Sequence, residues 1–161
     1  MHKVLFICHG NICRSPMAEF IMKAMVEARN VKENFEIASA ATSTEECWGG
    51  HGNPIYPPAK AELKKHGIGN TAYTNFTNKR ARQVTKNDYN YYDYLLCADS
   101  ANVSNTLRIV GLDTAGKVHL LLDYAGRKGQ SIADPWYTDN FALTYADIVE
   151  GLEGFLKHLG Y

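Results

Sequence analysis

Apolar positions in this 161-residue chain fall into short continuous runs, separated by longer stretches with helical spacing. The first run, Lys3 to Cys8, carries Val4-Leu5-Phe6-Ile7 and ends at His9-Gly10-Asn11. A short apolar run closed by a turn predicts a strand buried on both faces. Ser15 can cap the next helix, and Pro16 suits its first position. Phe20, Ile21, Ala24, Met25 and Ala28 then recur at helical spacing, so residues 16 to about 29 are expected to form a helix with one buried face. Phe35 to Ala41 reads as a second strand. A helix follows from Pro57 to His66, where Gly67 stops it and His66 serves as a C-terminal cap. Asp93 to Ala98 resembles the first strand, Ser100 to Val110 reads as a helix, and Val118 to Leu122 as a fourth strand. The closing helix, Phe141 to Leu159, sets Phe141, Tyr145, Ile148, Leu152, Phe155 and Leu159 on one side. Alternating strands and helices predict an α/β fold, a parallel sheet wrapped by helices.

Composition narrows the function. With 45% hydrophobic residues the chain can build a real core, and its length suits one domain over residues 1–161. Seventeen Lys+Arg balance seventeen Asp+Glu. That neutrality argues against binding nucleic acid or an acidic membrane surface. The opening run is too short for a signal-peptide core or a membrane span, so the expected location is cytoplasmic. Two sequons, at Asn75 and Asn102, then read as coincidences. The four cysteines, Cys8, Cys13, Cys47 and Cys97, suit neither a disulfide framework in a reducing compartment nor the paired spacing of structural zinc. Lys79, Arg80, Arg82 and Lys86 read as a solvated basic face.

The turn Cys8-His9-Gly10-Asn11-Ile12-Cys13-Arg14-Ser15 runs directly from strand into helix. Such a turn aims successive backbone N–H groups at one point, and the helix dipole adds positive character there, forming an anion cradle. Gly10 permits an unusual backbone angle, and Asn11 tolerates a left-handed one. Helix N-termini and neighbouring cations favour the thiolate, so Cys8 is expected to be a nucleophile, with the Ser15 hydroxyl placed to donate to its sulfur. Arg14 supplies a two-pronged donor matched to phosphate oxygens. Together they describe attack on a phosphoryl group. A second phosphate-loop pattern, Gly111 to Lys117, is a decoy: Val118 stands where Ser or Thr should bind magnesium, and the segment precedes a strand.

A leaving alkoxide or phenolate needs a proton. Asp134-Pro135-Trp136-Tyr137 offers a carboxyl on a stiffened loop with aromatics beside it, although Asp-Pro is also a common turn starter. The N-terminal stretch Cys-His-Gly-Asn-Ile-Cys-Arg-Ser-Pro-Met-Ala-Glu, taken with Asp-Pro-Trp-Tyr, closely resembles the low-molecular-weight protein tyrosine phosphatases over nearly the whole chain. The resemblance implies a four-stranded parallel sheet of flavodoxin-like order 2-1-3-4 with helices on both faces. It implies that Cys8 forms a phosphocysteine, that Arg14 grips the phosphate within a loop of His9, Gly10, Asn11, Ile12, Cys13, Arg14 and Ser15, and that Asp134 acts first as acid and then as base. It further implies a reversible Cys8–Cys13 disulfide under oxidation. Trp48 and Tyr137 look like the family's aromatic pocket walls, with Trp136 beside them. No metal or cofactor is implied; the expected partners are phosphotyrosine proteins or peptides, met by a monomer with weak self-association. Two departures stand out: Asp is common in the family at the Tyr56 position, and Met at Ala98. Both are expected to alter recognition or packing and to leave the chemistry alone.

Rivals remain on the same fold. An arsenate reductase would relay electrons through further cysteines; Cys97 sits near the first relay position, but Ser104 breaks the pattern. An arginine phosphatase would carry Thr in place of Ile12. A non-catalytic phosphopeptide binder needs neither a thiolate nor an acid, so intact Cys8, Arg14 and Asp134 count against it.

Overall fold

Val4, Leu5, Phe6 and Ile7 are each at most 1% exposed and lie on β1 (His2–Cys8). Successive side chains of a strand point to opposite faces. Val4, Phe6 and Cys8 accordingly join one core cluster, and Leu5 and Ile7 the other. The computed structural model describes residues 1–48 and 51–161.

Around β1 the chain builds α1 (Arg14–Ala28), β2 (Phe35–Ala41), the short antiparallel pair β3 (Cys47–Trp48) and β4 (His51–Gly52), and α2 (Pro57–Lys65). Then follow α3 (Lys86–Tyr91), β5 (Tyr94–Cys97), α4 (Ser100–Val110), β6 (Val118–Leu120), α5 (Pro135–Thr138) and α6 (Phe141–His158). The main sheet is parallel throughout, in the order β2-β1-β5-β6. Counting only its four strands, that is the expected order 2-1-3-4. Residues of α1, α2 and α6 pack with Phe6 on one face; Tyr89 of α3 and Val103 and Ile109 of α4 pack with Leu5 and Ile7 on the other. Since β1 pairs on both sides, Cys8 lies at the carboxyl end of a central strand, where open α/β sheets place their ligands. Among the described residues, no helix is long and apolar enough to cross a membrane.

Several boundaries differ from the sequence reading, each for a physical reason. Helix α1 starts at Arg14, with Cys13 at its N-cap and no side-chain cap; the Ser15 hydroxyl is turned to the Cys8 sulfur instead. Pro16 is therefore the third helical residue, a place where its missing N–H is still among those without an intrahelical partner. The fourth strand ends at Leu120, because Leu121 and Leu122 turn into a 3-10 segment, Leu121–Ala125, buried beneath α6. Glycine permits that approach: a Cβ at Gly154 would fall onto the Tyr124 carbonyl oxygen. Helix α2 ends at Lys65 with Gly67 left-handed at φ 74°, as its stop signal predicts.

Candidate active site

The loop after β1 folds around its own sulfur. Cys8 is 4% exposed, and its Sγ accepts from the Asn11 N–H at 3.3 Å and the Ser15 N–H at 3.4 Å. The Ser15 hydroxyl lies 3.0 Å away. That hydroxyl already accepts from Asn11 Nδ2 at 2.8 Å, which turns its own hydrogen toward the sulfur; the alternative acceptor, the Ala40 carbonyl, is at 3.5 Å. Three donors thus converge on one atom.

Asn11 organises this convergence. It carries the loop's left-handed backbone, φ 57°, while Gly10 is absent from the positive-φ positions, so the conformational freedom expected of Gly10 belongs to Asn11. Its amide donates to Ser39 Oγ at 2.9 Å as well as to Ser15, and its Oδ1 accepts from the Arg82 N–H at 3.2 Å. Ser39 in turn donates to Glu19 Oε1 at 2.6 Å, and Glu19 pairs with Lys23 at 2.9 Å and Lys79 at 3.6 Å. The supposed solvated basic face is therefore partly structural. Lys79 is mostly buried, donates to the Ser39 carbonyl at 3.0 Å, and has its ammonium pushed below the ordinary value by burial, with Glu19 pulling it back. Arg82 holds Asp88 through two bonds, at 2.9 and 3.1 Å.

Arg14, the first residue of α1, is 4% exposed. Its Nη2 lies 2.9 Å from Asp99 and 3.4 Å from Asp134, and its Nη1 donates to the Ile132 carbonyl at 3.2 Å. Asp134 caps α5, accepting from the Trp136 N–H at 3.1 Å. Cys8, Arg14 and Asp134, 126 residues apart from first to last in the sequence, face one cleft of about 440 Å³. Its walls are His9, Gly10, Ile12 and Cys13 of the loop, Glu45 and Glu46 after β2, the start of α4 from Asp99, and Trp136 and Tyr137. His9 sits on the rim, 3.2 Å from Glu45. The Cys13 thiol is pushed up to about 12, first by burial and then by the nearby Cys8 and Asp134.

Trp48 departs from expectation. It is 65% exposed on β3 and does not belong to the cleft wall formed by the described residues. Sequence reasoning in turn missed Asp99, Ser39 and Glu19. The signal for Asp99 was present, as Asp99-x-x-Asn102 is a capping pattern, but it announces a helix and says nothing of an arginine held beside it.

A parallel sheet whose central strand ends in a loop folded around a buried cysteine, with an arginine and a carboxyl lining the same cleft, defines an α/β class of protein. The family model described as low molecular weight phosphotyrosine protein phosphatase matches residues 3–161. A curated relative of that description from Gallus gallus is 39% identical over 158 residues, covering 96% of this chain and 93% of the relative. The crystal structure of SP-PTP, a low molecular weight protein tyrosine phosphatase from Streptococcus pyogenes, superposes with a TM-score of 0.81 at 39% identity, covering 99% of this chain and 93% of that one. The structure of DARP, drosophila arginine phosphatase, gives a TM-score of 0.83 at 31% identity over 99% of this chain and 98% of that one. The chain belongs to the low molecular weight phosphotyrosine protein phosphatase family.

Proposed function

We propose that the chain hydrolyses phosphotyrosine, in proteins or peptides, through a phosphocysteine on Cys8. The Cys8 thiolate attacks phosphorus, forming the S–P bond as the P–O ester bond breaks. Asp134, as the acid, gives its proton to the departing phenolate oxygen. Its carboxylate then takes a proton from a water whose oxygen attacks phosphorus, so the S–P bond breaks and phosphate leaves. Arg14 and the amides of the loop that are not turned to the sulfur bind the three non-bridging oxygens, whose charge they stabilise most as it spreads in the transition state. Asp99 anchors Arg14, and Asn11 and Ser15 shape the loop.

The observation that carries this reading is the convergence of two amides and a hydroxyl on one buried sulfur, with Asp134 3.4 Å from the arginine beside it. General acid catalysis contributes typically 10²–10⁴-fold, so Asp134→Ala is expected to lose about that factor on phosphotyrosine. Ile12, Trp136 and Tyr137 give the cleft apolar walls suited to an aryl ring. An arsenate relay through Cys97 is disfavoured: that thiol is fully buried in β5 and pushed up to about 12 by its burial. Two measurements test the proposal. Rapid quench with mass spectrometry should find phosphate on residue 8, and phosphate on another side chain refutes the mechanism. Turnover of phosphotyrosine, phosphoserine and phosphoarginine peptides side by side should favour phosphotyrosine. A phosphoarginine preference would align the chain with DARP and overturn the substrate while leaving the mechanism.

A further inference from the structure

Tyr56 touches both halves of the site, and we propose that it is a positioning residue for proton transfer by Asp134. The inference rests on the reading above, in which Asp134 protonates the leaving oxygen. Tyr56 caps α2, and its N–H donates to the Ile12 carbonyl at 2.9 Å, tying its backbone to the Cys8 loop. Its half-buried ring meets the Trp136 ring at 5.5 Å between centroids, tilted by 56°, and stacks on Phe141 of α6 at 6.2 Å. The N–H of Trp136 is the group that fixes Asp134 Oδ1.

Apart from the Arg14 contact with Asp134 itself, the other anchors of this segment lie upstream of the acid. Thr144 donates to the Ala133 carbonyl at 2.7 Å, Asp147 accepts the Ala133 N–H at 2.9 Å, and Arg14 holds the Ile132 carbonyl. Downstream, α5 has four residues, far too few to be stable alone. Trp136 is 62% exposed there, and the Tyr56 ring braces it from the α2 side. A misplacement of about 1 Å can cost on the order of 100-fold in rate, so a brace two residues from the acid bears on its efficiency.

Leaving-group dependence separates this role from general destabilisation. A p-nitrophenolate departs with little help from an acid, whereas the tyrosine phenolate, with a parent pKa of about 10, needs its proton. Tyr56→Leu, which keeps apolar bulk, should lower kcat/KM for a phosphotyrosine peptide about tenfold and that for p-nitrophenyl phosphate less than about threefold. Tyr56→Phe, which keeps the ring pair, should restore both. Turnover of p-nitrophenyl phosphate also reports that the variant is folded. Equal losses on the two substrates, or a Phe variant as impaired as the Leu variant, overturn the proposal. Asp134→Ala in the same series separates the two claims. If it is selective for phosphotyrosine and Tyr56→Leu is not, Tyr56 alone fails; if Asp134→Ala loses both equally, the acid assignment fails and takes the proposal with it.

Discussion

Replacing Asn11 tests whether one residue holds the cradle in shape. Its side chain makes three hydrogen bonds, to Ser15, Ser39 and the Arg82 N–H, at 1% exposure and a left-handed φ of 57°. Asn11→Ala deletes all three. Ser15 and Ser39 keep other partners, in Cys8 and Glu19, but the Arg82 N–H is left without one. At about 1 kcal/mol per bond the loss is about 3 kcal/mol. Alanine in the left-handed region adds about 1 kcal/mol more, for a total near 4 kcal/mol. Asn11→Gly loses the same bonds and escapes the backbone penalty, so it should sit near 3 kcal/mol. Urea unfolding at pH 7 gives both values, and kcat/KM on p-nitrophenyl phosphate shows whether the sulfur has lost its ordered donors. Equal stability of the Ala and Gly variants would refute the backbone part of this reasoning. A loss below about 0.5 kcal/mol in both would refute the hydrogen-bond part.

Three further outcomes follow from the same geometry. Asp99→Asn keeps an oxygen to cap α4 but removes the charge 2.9 Å from Arg14; stability should change by less than about 1 kcal/mol while kcat/KM falls about tenfold. Peroxide should oxidise Cys8 to a sulfenic acid, which the Cys13 thiol condenses with, expelling water and forming a disulfide that added thiol reduces. Recovery of Cys13→Ser equal to wild type would exclude that protection. Finally, Cys13 and Cys97 hold their protons to about 12 in the folded chain, against 9.0 ordinarily, chiefly through burial. The unfolded chain ionises first, so this contribution is intact below pH 9 and is lost as pH climbs toward 12. Between pH 8 and 10 stability should drop by about 1 kcal/mol per thiol, with a flatter profile in Cys97→Ala by urea titration.

The sheet was legible because burial on both faces leaves an unmistakable mark: Val4-Leu5-Phe6-Ile7 and Tyr94-Leu95-Leu96-Cys97 have little polar interruption. Short elements left no such mark. Helix α3 announces itself only through the Thr85–Asp88 capping box, and β3 and β4 have two residues each. In the candidate site, Cys8 through Ser15 stood out because they share one continuous stretch, and Asp134 because of its Asp-Pro-Trp-Tyr setting; the structure brings Cys8, Arg14 and Asp134 to one cleft. What escaped notice arrives from elsewhere in space. Ser39 and Glu19 look ordinary along the chain and matter because β2 and α1 bring them under Asn11. Lys79 looked solvated because a lysine's sequence neighbours do not reveal a buried carboxylate 60 residues away. Trp48, taken for a pocket wall from its setting in the sequence, stands largely exposed on β3, outside the cleft wall formed by the described residues. The same blindness hid Tyr56, whose departure from the common Asp looked chemically neutral until its ring was seen against Trp136.

Cys8 ends a strand hydrogen-bonded on both flanks, whereas Asp134 heads a four-residue helix at the surface. Regions that open at low energy do so long before the sheet interior. Warming should therefore act on the two in sequence, Asp134 drifting away while the loop around Cys8 survives. A heat-worn sample would still be competitively shielded by vanadate from alkylation at Cys8, yet turn over slowly.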